Sequence, residues 1–91
     1  MRIYNQEELK EIHHQSMFNK VKLDETSLCG CFYCKEIMPV TEITEWTDRA
    51  RTAICPYCGI DSIHPDSEKY PLTETLLDQL YKMYFDNPQP L

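Results

Sequence analysis

Glycine and basic side chains are scarce in this chain of 91 residues, which has two glycines and carries nine lysines and arginines against fifteen aspartates and glutamates. The formal net charge of −6 opposes non-specific binding to nucleic acid, because such binding needs basic groups that neutralise phosphates. No stretch has the composition of a linker or a repeat, and a chain of this length cannot bury two separate cores. We therefore predict a single domain that spans residues 1–91.

Long hydrophobic runs are absent as well. No apolar run approaches the roughly 20 residues that a membrane-spanning helix needs, and residues 1–5 lead into charged residues without the apolar centre of a signal peptide. These absences predict a cytoplasmic protein that does not enter a membrane and whose thiols stay reduced. A domain this small also needs a staple in addition to its hydrophobic core.

Cysteine, by contrast, is abundant, with five residues in this short chain. Four of them form two C-x-x-C pairs, and 20 residues separate the pairs. This spacing lies at the upper edge of the range that is usual for a zinc site with four cysteine ligands. We predict that one Zn²⁺ is held by Cys31, Cys34, Cys55 and Cys58. The ion would be structural, because four protein ligands leave no open coordination position.

The residues around the two pairs leave alternatives open. Cys29 could replace Cys31 as a ligand, although a two-residue gap like that of the second pair favours Cys31. Gly59 follows the second pair and can adopt a positive φ without strain, whereas Lys35 follows the first pair, which predicts a less regular first turn.

A thiol redox protein is a further alternative. A redox C-x-x-C pair precedes a long helix, but strand-like and turn-like residues bracket both pairs here and favour a shared metal.

Helices are predicted at both ends of the chain. Asn5 is followed three residues later by a glutamate, which predicts a capped helix over residues 6–16, and Asn19 is placed to cap a second, shorter helical turn. Thr73 can cap a final helix over residues 73–86 whose leucines, methionine and tyrosine share one face. We expect this amphipathic face to pack on its own domain.

The middle of the chain is rich in β-branched and aromatic residues, which predict short strands, including a hairpin of residues 43–46 and 51–55. The predicted fold class is a small α+β domain. A helical segment over residues 1–28 and the C-terminal helix would flank a zinc-ribbon-like β core over residues 29–63.

Other residues give weaker signals of a functional site. The histidines are His13, His14 and His64. Glu11 and His14 have the i, i+3 spacing of carboxylate-bridged di-iron sites, but the chain lacks a second such motif. His14, Ser16 and Asn19 lack an acidic partner that would orient a hydrolytic centre. His64 follows the last cysteine by six residues and could donate to a thiolate or cap a strand end. We predict that the chain is not an enzyme.

We do not expect the aromatic residues near the cysteine pairs to form a binding platform. Trp46 should be mainly core, and Tyr33 and Tyr57 should point outward from the two C-x-x-C turns.

Residues 29–34, CGCFYC, and residues 52–62, TAICPYCGIDS, resemble small uncharacterised bacterial or phage cytoplasmic proteins with a zinc-ribbon-like core. The resemblance covers residues 29–63. It implies a fold and carries no established activity, since such turns recur in zinc ribbons of unrelated roles.

The remaining features favour a zinc-stapled module that binds another protein, as an acidic regulator, inhibitor or assembly subunit. Residues 66–91 carry two basic and five acidic side chains, which favours a partner with a basic surface. The alternative is a zinc ribbon that binds nucleic acid through Lys35, Arg49 and Arg51.

Overall fold

A computed structural model of the chain describes residues 2–86. These residues form three helices and two antiparallel sheets, so the predicted α+β class is confirmed. The elements in chain order are α1 (Gln6–His14), α2 (Lys20–Asp24), β1 (Leu28–Cys31), β2 (Ile37–Pro39), a 3-10 turn (Val40–Glu42), β3 (Glu45–Thr47), β4 (Thr52–Ile54), β5 (Ile63–Pro65) and α3 (Glu74–Tyr84). None of the helices within residues 2–86 is both long enough and apolar enough to cross a membrane.

Strand β1 is the centre of the fold. It pairs antiparallel with β2 on one side and with β5 on the other, giving a three-stranded sheet in the order β2-β1-β5. Cys31 lies opposite Ile63 in this sheet, and Cys29 lies opposite Met38. Strands β3 and β4 form a separate hairpin.

Two hydrophobic clusters lie against this framework. The first joins α1 to α3 and contains Tyr4, Leu9, Ile12, Phe32, Tyr70, Leu76, Leu77 and Leu80. The second lies between the two sheets and contains Leu23, Cys29, Cys31, Met38, Ile43, Ala53, Cys55 and Ile63. A Cβ on Gly30 would lie 2.7 Å from Leu72 and 3.1 Å from Leu77, so the glycine of β1 lets the start of α3 approach the sheet closely.

The predicted caps of the long helices are present. Asn5 accepts a hydrogen bond from the amide of Glu8, whose carboxylate accepts one from the amide of Asn5, which completes a capping box for α1. Thr73 accepts from the amide of Leu76 and caps α3. The predicted helix end at Asn87-Pro88 lies outside the described residues.

The predicted hairpin is also present, shifted by one or two residues. Its loop contains three consecutive non-glycine residues with positive φ, at Asp48, Arg49 and Ala50. The amide of Arg51 donates to the carbonyl of Thr47 at 3.0 Å and closes this left-handed turn. Pro39 ends β2, as expected for a residue without an amide hydrogen.

Asn19 does not have the predicted role. It lies at the start of α2, but its side chain makes no capping hydrogen bond. It is fully buried, and its amide group donates to the carbonyl of Ile63 at 2.9 Å and accepts from the amide of Ala53 at 3.0 Å. One side chain therefore joins the hairpin to the three-stranded sheet, a use that satisfies buried backbone groups and outweighs capping.

Replacing Asn19 with alanine should lower the free energy of unfolding by about 3 kcal/mol, because it leaves two buried backbone groups without partners. Asn19→Asp should be at least as harmful, since a carboxylate cannot donate to the carbonyl of Ile63. Urea unfolding of the metal-loaded protein measures both. Asn5→Ala, which removes an exposed cap, is the matched control and should cost about 1 kcal/mol. Equal losses for Asn5→Ala and Asn19→Ala would contradict the bridging role.

His64 is likewise neither a thiolate donor nor a loop residue in this fold. It lies in β5 opposite Gly30, fully buried, and its Nε2 is 3.0 Å from the carbonyl oxygen of Tyr70. Its Nδ1 is buried without a hydrogen-bond partner among the described residues. Burial lowers the pKa of this imidazole, although its hydrogen bond to Tyr70 acts in the opposite direction. The side chain is therefore buried in its neutral form.

Because the pKa of His64 is lower in the folded chain than in the unfolded chain, its contribution to stability is present above the unfolded pKa of about 6.5 and is lost as the pH falls below it. We expect the free energy of unfolding to fall more steeply between pH 7.5 and pH 5.5 in the wild type than in His64→Gln. Loss of any metal that the cysteines bind would affect both proteins at low pH, so the difference between their urea unfolding curves isolates the histidine. Parallel pH profiles would contradict this assignment.

Candidate metal centre

Four cysteine side chains converge at one point of the structure. The Sγ atoms of Cys31, Cys34, Cys55 and Cys58 all lie within 4.8 Å of one another. Two distances cross between the pairs at 3.6 Å: Cys31 to Cys58 and Cys34 to Cys55. A tetrahedral ion with metal–sulfur bonds of about 2.3 Å places its ligands about 3.8 Å apart. The four sulfurs therefore fit a tetrahedral tetrathiolate metal site.

The two C-x-x-C segments form turns of the same construction, which we call the first knuckle (residues 31–36) and the second knuckle (residues 55–60). In the first, the carbonyl of Cys31 accepts from the amide of Lys35 at 2.8 Å, and the amide of Cys31 donates to Glu36 at 2.9 Å. In the second, Cys55 makes the same two bonds with Gly59 and Ile60, both at 2.9 Å. The predicted metal ligands thus lie on two copies of one local structure.

The prediction that Lys35 makes the first knuckle less regular is wrong. Lys35 adopts φ +67°, close to the φ +79° of Gly59 at the equivalent position. This left-handed conformation is costly for a side chain with a Cβ. The Lys35 ammonium is 2.8 Å from the carboxylate of Asp78 and 4.6 Å from the ring centre of Tyr81. These contacts tie the first knuckle to α3.

Backbone amides point at the sulfurs in both knuckles. The Sγ of Cys31 accepts from the amides of Tyr33 at 3.3 Å and Cys34 at 3.5 Å, and the Sγ of Cys55 accepts from the amide of Tyr57 at 3.4 Å. Such donors offset the negative charge that accumulates when thiolates share one ion.

Ser62 is a member of the site that the sequence pattern did not indicate. Its Oγ is 3.0 Å from the Sγ of Cys31, and its carbonyl accepts from the amide of Phe32 at 3.0 Å. It is buried and lies just before β5, which pairs with the cysteine strand. The signal that could have found it is its position one residue before the strand partner of Cys31, which only the sheet register provides.

The thiols have unequal acidities in the chain without an ion. Burial opposes ionisation of Cys31, but the hydroxyl of Ser62 and the amides of Cys34 and Tyr33 outweigh it and lower the pKa of Cys31. Burial raises the pKa of Cys34, and it raises that of Cys58 to about 11. A divalent ion must therefore displace protons, so its affinity should rise with pH.

Cys29 is not one of the four cysteines whose sulfurs converge. It is fully buried on β1, and its Sγ contacts the carbonyl oxygen of Met38 at 3.6 Å. Burial raises the pKa of this thiol to about 12. The structure thus places Cys31, and not Cys29, with the other three cysteines, and it gives Cys29 the role of a small apolar residue.

The aromatic residues near the cysteines divide as expected. Phe32 is buried in the cluster between α1 and α3, and Trp46 is half-buried against the cluster between the sheets. Tyr33 and Tyr57, in the middle of the two knuckles, are 40% and 56% exposed.

The other sequence candidates do not assemble into a second centre. The hydroxyl of Ser16 donates to the carbonyl of His13 at 2.6 Å, and the side chain of Asn19 is engaged by the strands. Glu11 is 3.1 Å from the ammonium of Lys69 and accepts from the hydroxyl of Tyr70. Burial lowers the pKa of His13, whose ring stacks on that of Tyr84 with 4.0 Å between centres.

Comparisons of this chain with protein-family models, with curated proteins and with solved structures found no match. The resemblance to proteins with a zinc-ribbon-like core therefore rests on the cysteine cluster and its two knuckles.

Serine substitutions should separate the four clustered cysteines from the fifth. Cys55→Ser and Cys58→Ser should lose bound metal and unfold at much lower urea concentrations, because they remove ligands whose binding energy is folding energy. Cys29→Ala is the matched control, which should keep one metal ion per chain at a cost of about 1 kcal/mol for the lost sulfur. Native mass spectrometry and elemental analysis give the metal content. A metal-free protein that remains folded would contradict the site.

Proposed function

We propose that the chain is a module that is folded around one structural Zn²⁺ and that acts by binding another protein. The observation that carries the metal assignment is the convergence of four sulfurs, all within 4.8 Å of one another, on two matching knuckles. Thiolates select soft or borderline ions, and four cysteines in this geometry suit Zn²⁺. Elemental analysis of the purified chain should therefore return zinc.

A domain of this size needs a source of stability besides its hydrophobic core, and a structural ion supplies one. Four cysteine ligands complete the coordination of the ion, so no position is left for water or substrate. The knuckles link the two hydrophobic clusters, since Phe32 belongs to the first cluster while Cys31 and Cys55 belong to the second. The free energy of metal binding then stabilises both clusters.

The protein-binding role is supported by charge. Among the described residues from 66 to 86, Asp78 is the acidic residue that forms ion pairs, with Lys35 and Lys82. Glu68, Glu74 and Asp86 are exposed and form no ion pair within the described residues. These exposed carboxylates favour a regulator, inhibitor or assembly subunit whose partner presents basic groups, and we propose no catalytic activity.

The nucleic-acid alternative is less well supported. Lys35 is paired with Asp78 on α3, whereas Arg49 lies in the hairpin turn and the carbonyl of Arg51 contacts α2. Lys35 thus lies on a different element from the two arginines, which share the hairpin turn, and its charge is already neutralised.

Affinity purification of the tagged, metal-loaded chain from its native cell tests the partner. We expect a protein that is recovered at low salt and lost at high salt, because exposed charges are screened. The triple variant Glu68→Gln, Glu74→Gln and Asp86→Asn should lose it. The matched control is Glu7→Gln, Glu25→Gln and Glu45→Gln, which removes the same charge elsewhere. Recovery of nucleic acid without protein, abolished by Arg49→Ala and Arg51→Ala, would instead support the nucleic-acid alternative.

A further inference from the structure

The segment between α1 and α2, together with the first turn of α2, exposes apolar side chains. Met17, Phe18 and Val21 are 40%, 59% and 67% exposed, although each is large enough to contribute to a core. Contiguous exposed apolar side chains mark interaction surfaces more often than single ones do. Methionine and aromatic residues are also enriched at protein interfaces.

Phe18 is held in a strained conformation. Its φ is +50°, in the left-handed region that bulky side chains rarely adopt. Its amide donates to the Oγ1 of Thr52 at 2.9 Å, and this buried hydroxyl donates in turn to Asp48 at 2.9 Å. The fold thus fixes a phenylalanine in a costly backbone conformation and leaves most of its ring in water. Strain of this kind concentrates at functional positions.

Basic residues lie on the two segments next to Phe18 in the fold, α2 and the hairpin turn. The amide of Lys20 donates to the carbonyl of Arg51 at 2.9 Å, which brings the left-handed hairpin turn against the start of α2. Lys22, Arg49 and Arg51 are exposed, and none of them forms an ion pair within residues 2–86. Lys20 differs, because its ammonium is 2.8 Å from Asp24. Exposed apolar and cationic residues therefore lie on two segments, residues 17–22 and 48–52, that backbone contacts bring together in a chain whose net charge is −6.

We propose that this surface binds an acidic polypeptide segment that carries an apolar side chain. We call it the Phe18 patch, and its members are Met17, Phe18, Val21, Lys22, Arg49 and Arg51. The proposal goes beyond the protein-binding function above and uses a different surface, of opposite charge. Phe18 and Val21 would contact the apolar side chain of the segment, and the arginines would pair with its carboxylates.

A polypeptide fits this surface better than a nucleic acid. Of the three apolar members only Phe18 offers a ring on which a base could stack, and Met17 and Val21 favour an aliphatic or aromatic side chain instead. Three free cations, with Asp48 in the same turn, neutralise too few phosphates to hold a strand on a chain of negative charge. An acidic segment presents fewer charges and supplies the apolar contact.

Amide chemical shifts of the zinc-loaded, isotope-labelled chain test the proposal with three probes. The first is a peptide in which glutamates alternate with leucines around one phenylalanine, the second replaces every apolar residue of that peptide with serine, and the third is an oligothymidylate of the same charge. We expect the first probe to shift the amides of residues 17–22 and 48–52 and to bind more tightly than the other two.

Two variants should each weaken binding of the first probe at least about tenfold. These are Phe18→Asn and the double variant Arg49→Ala with Arg51→Ala. Asparagine tolerates a positive φ, so Phe18→Asn should lose binding while its unfolding midpoint stays the same or rises. The matched controls are Ile3→Asn, which replaces another exposed apolar residue, and Lys10→Ala, which removes another exposed cation without an ion pair in the described part of the chain.

The proposal is overturned if the serine peptide binds as well as the first probe, if the variants and controls behave alike, or if the shifted amides lie elsewhere. Tighter binding of the oligothymidylate at the same amides would assign the Phe18 patch to nucleic acid instead. Loss of zinc would affect all variants and probes together, so a failure of the metal assignment is distinguishable from a failure of this proposal.

Discussion

The convergence of four thiols is the constraint on which the rest of the fold depends. One pair lies at the end of β1 and the other after β4, so the three-stranded sheet and the hairpin must meet at the sulfurs. Neither sheet is large enough to be stable alone, since short strands need a further layer or a bound ion. The knuckles satisfy the sulfurs with backbone amides and leave the adjacent side chains free to enter two different hydrophobic clusters.

The features that could be predicted from the sequence are those whose cause is local. A C-x-x-C turn brings its two sulfurs together through a few backbone angles, and Asn5 and Thr73 cap helices through partners three residues away. The amphipathic face of α3 follows from its own periodicity, and Leu76, Leu77 and Leu80 are buried as it indicates. The class of the fold and the grouping of the cysteines were therefore accessible without coordinates.

The features that could not be predicted depend on partners distant in the sequence. Asn19 satisfies backbone groups 34 and 44 residues away, and this tertiary use overrides its local preference for a cap. Lys35 takes the glycine-like conformation that the knuckle hydrogen bonds impose, and its side chain contacts Asp78 of α3, 43 residues further along the chain. The contact of Ser62 with Cys31 follows from sheet register, which short strands with few alternating residues do not specify in advance.

Strand β1 contacts both halves of the domain, and this shared position affects how the domain unfolds. Its cysteines face the cluster between the sheets, whereas Gly30 makes room for the leucines that join α3 to the sheet. A strand that belongs to both halves cannot leave one without disturbing the other. The domain should accordingly have no independently stable subregion in its centre, and protection of its amides against hydrogen exchange should decline as one cooperative unit when the domain is destabilised.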